Sequence, residues 1–362
     1  MAKKVIVGMS GGVDSSVAAY LLKKQGYDVT GVTMQIWLSD DLYEISRIDG
    51  CCSLSAVDDA AKVCEKLGIE HKVLNFRDIF RQKVITDFIS EYEAGRTPNP
   101  CIVCNRYVKW EALLKWGVEE AGADYMATGH YARVEQLSNG RFVIKKSATD
   151  AKDQTYALYN LTQEQLSRTL MPDGEYDKPS IRQIAAGIGL PVSNKPDSQE
   201  ICFIPDNDHG RFIRNEHPEG DRGEGNFVDK NGNILGRHKG LSYYTIGQRR
   251  GLGLPMGHYV YVTEIRPETN EIVVGENEEL FTTKCVCNNI NFMAVEDMNI
   301  GESVRLTGKI RYGHKGEECT VTKTGPDTLT AVFDNAVRAV TPGQAAVFYD
   351  GDHIFAGGKI TR

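Results

Sequence analysis

The apolar run Val5-Ile6-Val7 ends at Gly8 and passes through Met9-Ser10-Gly11-Gly12 into Val13-Asp14-Ser15-Ser16. Apolar residues then recur at helical spacing at Val13, Val17, Ala18, Leu21 and Leu22. A strand that turns through paired glycines straight into a helix aims several backbone N–H groups, and the positive end of the helix dipole, at one point. Hydroxyls at Ser10, Ser15 and Ser16 add donors there, and the assembly suits a phosphate group. No lysine follows the glycines, so this is not the Gly-x-x-x-x-Gly-Lys-Ser/Thr loop. A plainer reading makes Gly11 and Gly12 a tight turn and Asp14 a helix cap; the strand–turn–helix setting favours phosphate.

Further alternation follows. Val5–Gly8 reads as a strand, Asp14–Gln25 as a helix closed by Gly26, and Val29–Met34 as a second strand. Ser55 is placed to cap a helix that Gly68 ends, His71–Asn75 is a third strand, and Ile79–Ala94 is an amphipathic helix. Tyr107–Ala121 is helical, and Tyr125–Thr128 is a short strand leading to Gly129-His130. Strands alternating with helices predict a parallel sheet covered on both faces, with ligands beyond the C-terminal strand ends near Gly11, Met34 and Gly129. Between Pro191 and Gly236 the chain is polar and rich in turn residues, apart from an apolar island at Ile201–Ile204. After about Val260, short β-type runs dominate (Val304–Ile310, Thr320–Lys323, Leu329–Phe333, Ala345–Tyr349, Ile354–Phe355), as in a small all-β barrel or sandwich.

A chain of 362 residues exceeds one ordinary core, and 41% hydrophobic with 25% charged residues describes a soluble globular protein. The expected division is an α/β, parallel-sheet nucleotide-binding domain over 1–205, a small connector domain over 206–280 and a C-terminal all-β barrel over 281–362. No apolar run approaches the roughly 20 residues of a membrane span. Met1-Ala2-Lys3-Lys4 enters a strand without the apolar segment of a signal peptide, so a cytoplasmic location and no membrane partner are expected. The net charge of −7 argues against generic nucleic-acid binding but leaves room for a local basic face.

Nine cysteines fit reduced thiols, metal ligands or catalysis better than a disulfide framework. Thr97-Pro98-Asn99-Pro100-Cys101-Ile102-Val103-Cys104-Asn105 carries a Cys-x-x-Cys that reads as a stiff loop between two helices, close to a helix start, where thiolate is favoured. Cys202, in Asp197-Ser198-Gln199-Glu200-Ile201-Cys202-Phe203, is a second candidate, although its apolar neighbours equally suit a buried packing residue. Cys64 falls at a core-facing helical position. Cys285, Cys287 and Cys319 lack partners at zinc spacing, and adjacent Cys51-Cys52 is ambiguous.

Ser10-Gly11-Gly12-Val13-Asp14-Ser15 resembles the pyrophosphate loop of ATP pyrophosphatases, which cleave ATP between its α- and β-phosphates to adenylate a substrate. Thr97–Pro100, Cys104-Asn105, Ala127-Thr128-Gly129-His130-Tyr131, Lys152-Asp153-Gln154, Ile201-Cys202-Phe203, Tyr244–Gly251 and Thr341-Pro342-Gly343-Gln344 follow in order over nearly the whole chain. Together they resemble the tRNA-specific 2-thiouridylase family, which thiolates the wobble uridine. The resemblance implies ATP at Gly8, Met9, Ser10, Gly11, Gly12, Val13, Asp14 and Ser15, with Met34 and Gly129 around the adenine and ribose. It implies Cys104 as the catalytic cysteine and Cys202 as the persulfide carrier. Asn99, Pro100 and Cys101 would face the target base, and His130, Lys152, Asp153, Gln154, Arg311, Tyr312 and Gln344 would touch the tRNA. Gly247-Gln248-Arg249-Arg250-Gly251 reads as a phosphate-contacting loop, because paired arginines with flexible flanks suit an RNA backbone.

One position departs from the pattern. Many family members carry aspartate where this chain has Cys101, and a thiol is a weaker acceptor than a carboxylate. Either that role moves elsewhere or Cys101, Cys104 and Cys202 form a three-thiolate group able to hold a [4Fe–4S] cluster with one open iron; a tolerated substitution is the plainer account. The expected enzyme is an ATP-dependent sulfurtransferase. It would use Mg²⁺, adenylate the C2 oxygen of a tRNA with an unmodified wobble uridine, and take sulfur from a persulfide donor or sulfur-relay protein. Cys104 would either release hydrosulfide by forming a Cys104–Cys202 disulfide or pass the sulfur on itself. Two rival readings are another adenylating enzyme built on the same loop, and a non-enzymatic iron–sulfur or RNA-binding protein.

Overall fold

The computed structural model describes residues 2–36, 54–149, 152–197, 201–204 and 206–361; Cys51 and Cys52 lie outside them. Strands β1 (Lys4–Gly8), β2 (Asp28–Gln35), β3 (Glu70–Asn75), β4 (Tyr125–Ala127) and β7 (Thr169–Leu170) form one parallel sheet in the order β3-β2-β1-β4-β7. Val5, Ile6 and Val7 are at most 1% exposed, as an apolar run covered on both faces requires. The strand order reverses at β1, so the turn leaving it emerges at the switch point, where ligands bind in open parallel sheets. That turn feeds helix α1 (Val13–Lys24), and Gly26 (φ +90°) follows its end. Helix α2 covers Leu54–Leu67, so Ser55 lies within it instead of capping it.

The helical reading needs a second correction. A helical run over 77–93 (α3) contains a π-type stretch at Arg81–Ile85, and another over 100–119 (α4) contains one at Cys104–Leu113. α4 therefore begins at Pro100, not near Tyr107, and the Cys-x-x-Cys is on a helix. Asn99 caps it, its Oδ1 accepting from the Cys101 amide at 3.1 Å, and Pro100 takes the first-turn position that needs no donor.

After β4 a hairpin, β5 (Ala132–Gln136) and β6 (Phe142–Lys146), leaves the parallel sheet. It joins the C-terminal barrel through His353 opposite Lys145. The barrel strands β12 (Phe281–Phe292), β13 (Ser303–Lys309), β14 (Glu317–Gly325), β15 (Thr328–Arg338), β16 (Ala345–Asp350) and β17 (His353–Ile360) run in the order β12-β15-β14-β13-β16-β17, and β12–β17 pairing closes the ring. One apolar cluster spans both regions, with Ile6, Trp110 and Tyr156 packed in the same core as Met293, Val347 and Ile354. Between them, β8 (Gly225–Val228), β9 (Ile234–His238), β10 (Tyr261–Arg266) and β11 (Glu271–Gly275) form a separate sheet, β10-β11-β8-β9, over its own core. Among the described residues no helix is long and apolar enough to cross a membrane.

Cys64 is buried against Gly31, and burial pushes its thiol up to about 11. Cys285 and Cys319 sit in the barrel core with thiols pushed up to about 12, and Cys287 is shifted the same way. Thiols held protonated this firmly are packing residues.

Candidate active site

Gly11 adopts φ +64°, and a Cβ there would lie 2.3 Å from the Ala56 carbonyl oxygen of α2. Only glycine meets both demands, so the turn is pressed against a helix and its shape is set by that contact. Gly12 is the N-cap of α1 and supplies no side-chain hydrogen bond, which leaves the first-turn amides to a ligand. The Ser15 hydroxyl accepts from the Ser10 amide (3.2 Å) and meets the Ser10 hydroxyl (3.2 Å), so both hydroxyls border the turn. Gly129, beyond β4, packs on the start of α1, where a Cβ would lie 2.5 Å from the Asp14 carbonyl carbon. Met34, near the end of β2, is 8% exposed and points into the core, so its backbone is the part presented at the strand end.

A network of charge lies beneath the turn. Asp14 accepts from the Tyr131 hydroxyl (2.7 Å) and from Lys178 Nζ at both oxygens (2.7 and 2.8 Å). Lys178 opens helix α5 (Lys178–Gly187) and also pairs with Asp197 (2.7 Å), which Lys152 (2.9 Å) and Arg182 (3.2 Å) join. Burial alone would raise the Asp197 pKa, but the two lysines outweigh it and hold the carboxyl below its ordinary value. Tyr131 is shifted far upward by burial and by the Asp14 hydrogen bond, so it stays a donor.

Asp173 completes this network differently. Its carboxyl is fully buried with no hydrogen-bond partner at either oxygen. Burial, reinforced by Asp14, pushes its pKa well above the usual range. In the fold it is protonated, whereas in the unfolded chain it ionises near pH 4. Its contribution to stability is therefore complete below about pH 4 and is lost as pH rises toward the folded value, at up to about 1.4 kcal/mol per pH unit. Asp173→Asn is expected to flatten this loss. Urea melts of both proteins at pH 5 and pH 8 measure it, and identical pH dependence in the two would contradict a neutral Asp173.

At the start of α4, Cys101 is exposed and Cys104 half-buried. Cys202 is half-buried, and both Cys104 and Cys202 border the large shared core. The neighbouring Phe203 anchors the Cys202 segment, its ring edge-on to Phe80 and Phe88 at 5.6 and 5.3 Å. The opposite face of α4, with Asn99, Val103 and Arg106, lines a cavity of about 430 Å³ against Asn291 and Gln344 of the barrel. Among the described residues no three His, Cys, Asp or Glu side chains are gathered to hold a metal.

The residues expected at an RNA surface divide into two groups. Tyr312 is 50% exposed and stands near Tyr156 (6.2 Å between rings). The barrel meets the start of α4 across the cavity that Asn99 and Gln344 both line. Lys152 remains 42% exposed at its side chain. Others are engaged inward. Gln154 Oε1 accepts from the Tyr131 amide (2.9 Å), and Asp153 accepts from Thr155 (2.7 Å) near Lys309. Gln344 donates to the Thr97 carbonyl (2.9 Å), and Arg311 to the Arg338 carbonyl (2.7 Å). His130 lies beside Trp110 with Nδ1 at 2.7 Å from the Thr128 hydroxyl, and burial with nearby Lys109 holds it neutral.

Sequence reasoning did not assign roles to Tyr131, Lys178, Asp173 or Arg182. A signal for Lys178 was available: Asp177 and Pro179 mark a helix start, which places Lys178 in its first turn. Nothing local marked its partner as Asp14, 164 positions away.

The chain matches three family models: the tRNA methyl transferase HUP domain over residues 3–206, the tRNA methyl transferase PRC-barrel domain over 211–276 and the aminomethyltransferase beta-barrel domain over 282–360. It is 59% identical over 361 residues to the tRNA-specific 2-thiouridylase MnmA of Lachnoclostridium phytofermentans, covering 99% of this chain and 100% of that one. It is 54% identical over 363 residues to the protein of that name from Clostridioides difficile, covering 100% and 99%. The U34-tRNA thiolase NcsA of Methanococcus maripaludis, solved with its [4Fe-4S] cluster, is 21% identical over 60% of this chain and 67% of that one, with a TM-score of 0.33.

Proposed function

Because the chain belongs to the tRNA-specific 2-thiouridylase family, we propose that it catalyses ATP-dependent 2-thiolation of the wobble uridine of tRNA in the cytoplasm. In this reading, residues 1–205 carry the chemistry, and 206–280 and 281–362 hold the RNA. The observation that carries the reading is the pairing of an uncapped, glycine-shaped loop at the switch point with a Cys-x-x-Cys helix start packed on the same fold.

The C2 carbonyl of uridine is a poor electrophile because its oxygen leaves badly. That oxygen attacks the α-phosphorus of ATP, pyrophosphate departs, and the α1 amides with the Ser10 and Ser15 hydroxyls accommodate the departing charge. Mg²⁺ bound to the ATP phosphates would draw charge from the leaving pyrophosphate, with the Ser10 and Ser15 hydroxyls the oxygen ligands nearest to it on the turn. Lys178 and Tyr131 hold the Asp14 carboxylate in one orientation. Sulfur arrives from a persulfide donor or relay protein as Cys202–S–SH. The Cys104 thiolate attacks the Cys202 sulfur, a Cys104–Cys202 disulfide forms, and hydrosulfide leaves. Hydrosulfide then adds to C2 and AMP is expelled; a dithiol reductant returns two electrons to the disulfide. The base reaches the thiols by leaving the anticodon stack, which costs little in a single-stranded loop.

Incubating unmodified tRNA with the protein, ATP, Mg²⁺ and a persulfide donor, followed by nucleoside mass spectrometry, tests the reading. The expected products are 2-thiouridine at the wobble position and one AMP per thiolation. Absence of AMP with any tRNA would sink it.

A further inference from the structure

The middle domain presents an RNA-binding platform of its own. Gly247 (φ +87°) and Gly251 (φ +76°) bound the loop that carries Arg249 and Arg250. The loop is fixed from within. The Gly247 amide donates to Val262 O (2.8 Å) and the Val262 amide to Gln248 O (2.9 Å). The Gln248 side chain accepts from the Thr245 amide (3.0 Å) and donates to the Arg250 carbonyl (3.0 Å). Both arginines are exposed on this frame. The Arg249 guanidinium stands 4.5 Å from the ring centre of Tyr259, which at 70% is the most exposed large apolar side chain among the described residues.

Charge makes the pair unusual. The chain is acidic overall, with net charge −7. Arg214, Arg237 and Arg266 of the same domain each face a carboxylate. Among the described residues, neither Arg249 nor Arg250 does. Two guanidinium groups without a carboxylate partner, one of them over an exposed aromatic ring, match a phosphodiester backbone carrying an unpaired base.

The loop is also continuous with the barrel surface expected to meet RNA. Arg338 Nη2 donates to the Gly247 carbonyl (3.2 Å), and Arg311 donates to the Arg338 carbonyl (2.7 Å) beside half-exposed Tyr312. Arg311 and Arg338, bonded to these carbonyls, thus tie the barrel to the loop that exposes Arg249 and Arg250.

We propose that Arg249 and Arg250 bind backbone phosphates of the substrate tRNA away from the reacting uridine while Tyr259 stacks an unpaired base, extending the Arg311–Tyr312 face onto the middle domain. This rests on the tRNA-thiolating reading. The test is tRNA binding by the full-length protein over a salt series, for the wild type, the Arg249→Ala/Arg250→Ala double variant and Tyr259→Leu. Loss of two phosphate contacts lowers the magnitude of the slope of log affinity against log salt by about 2 and weakens binding more than about tenfold at moderate salt. Tyr259→Leu weakens binding about tenfold with the slope kept, as loss of stacking does. ATP binding without tRNA stays unchanged in all three and reports folding. Variants with wild-type slope and affinity overturn the proposal. So does normal tRNA binding combined with thiolation lost only when sulfur comes from a relay protein, since the surface then belongs to a protein partner. A wild type that binds no tRNA at all instead counts against the function itself.

Discussion

Cys104→Ser lowers tRNA thiolation by at least about a thousandfold while tRNA-dependent release of pyrophosphate, with AMP left bonded to the tRNA, persists in the first turnover. A serine hydroxyl at neutral pH holds almost no oxyanion, whereas cysteine as a class holds a small thiolate fraction and is intrinsically more nucleophilic. Cys104 lies on α4 just after the Asn99 cap and Pro100, so the substitution changes one atom without disturbing the cap. Adenylation depends on the glycine turn and the Asp14 network. Single-turnover assays that follow pyrophosphate and 2-thiouridine together separate the two steps. Full thiolation by the serine variant would remove Cys104 from the mechanism, and loss of pyrophosphate release as well would mean that the helix start also shapes the ATP site.

Gly11→Ala is expected to act on the other half of the reaction. A non-glycine residue at φ +64° is strained, and its Cβ would stand 2.3 Å from the Ala56 carbonyl, so α2 or the turn must move. The combined cost is at least about 2 kcal/mol of stability. The displaced amides no longer converge, and ATP binding weakens by about a hundredfold or more. Calorimetric titration with ATP together with a thermal melt reads both effects. Gly12→Ala is the control: Gly12 has an extended backbone, and a Cβ there meets only the Ser10 hydroxyl at 3.3 Å, so stability changes far less. Equal effects of the two substitutions would contradict the special role of the left-handed turn.

The parts of the molecule that were legible in the sequence are those written in local periodicity. Val5–Val7, the glycine turn and the spacing of α1 needed no partner to be read, and the parallel sheet followed from the alternation of strands and helices. The start of α4 was misread because prolines at 98 and 100 look like a loop. A proline in the first turn is compatible with a helix, and Asn99 had already supplied the cap. The hairpin over β5 and β6 escaped because its pairing partner, β17, lies more than 200 residues further on and carries no mark of the contact. The same holds for the Asp14 network. Asp14, Tyr131, Asp173, Lys178 and Asp197 each look like an ordinary turn or helix-end residue until the fold assembles them.

The hairpin that pairs with β17 gives the molecule a fixed internal gauge. Because β5 and β6 leave the parallel sheet directly after β4 and finish as barrel strands, and because one apolar core runs through both regions, the glycine turn, the Cys-x-x-Cys helix and the barrel surface keep constant spacing. The distance from the barrel surface to the thiols is therefore set by the fold, as the gap between the fixed jaws of a calliper is. The shared core also makes the barrel inseparable: cutting the chain before β12 would strip Met293, Val347 and Ile354 from the core that supports the nucleotide-binding sheet.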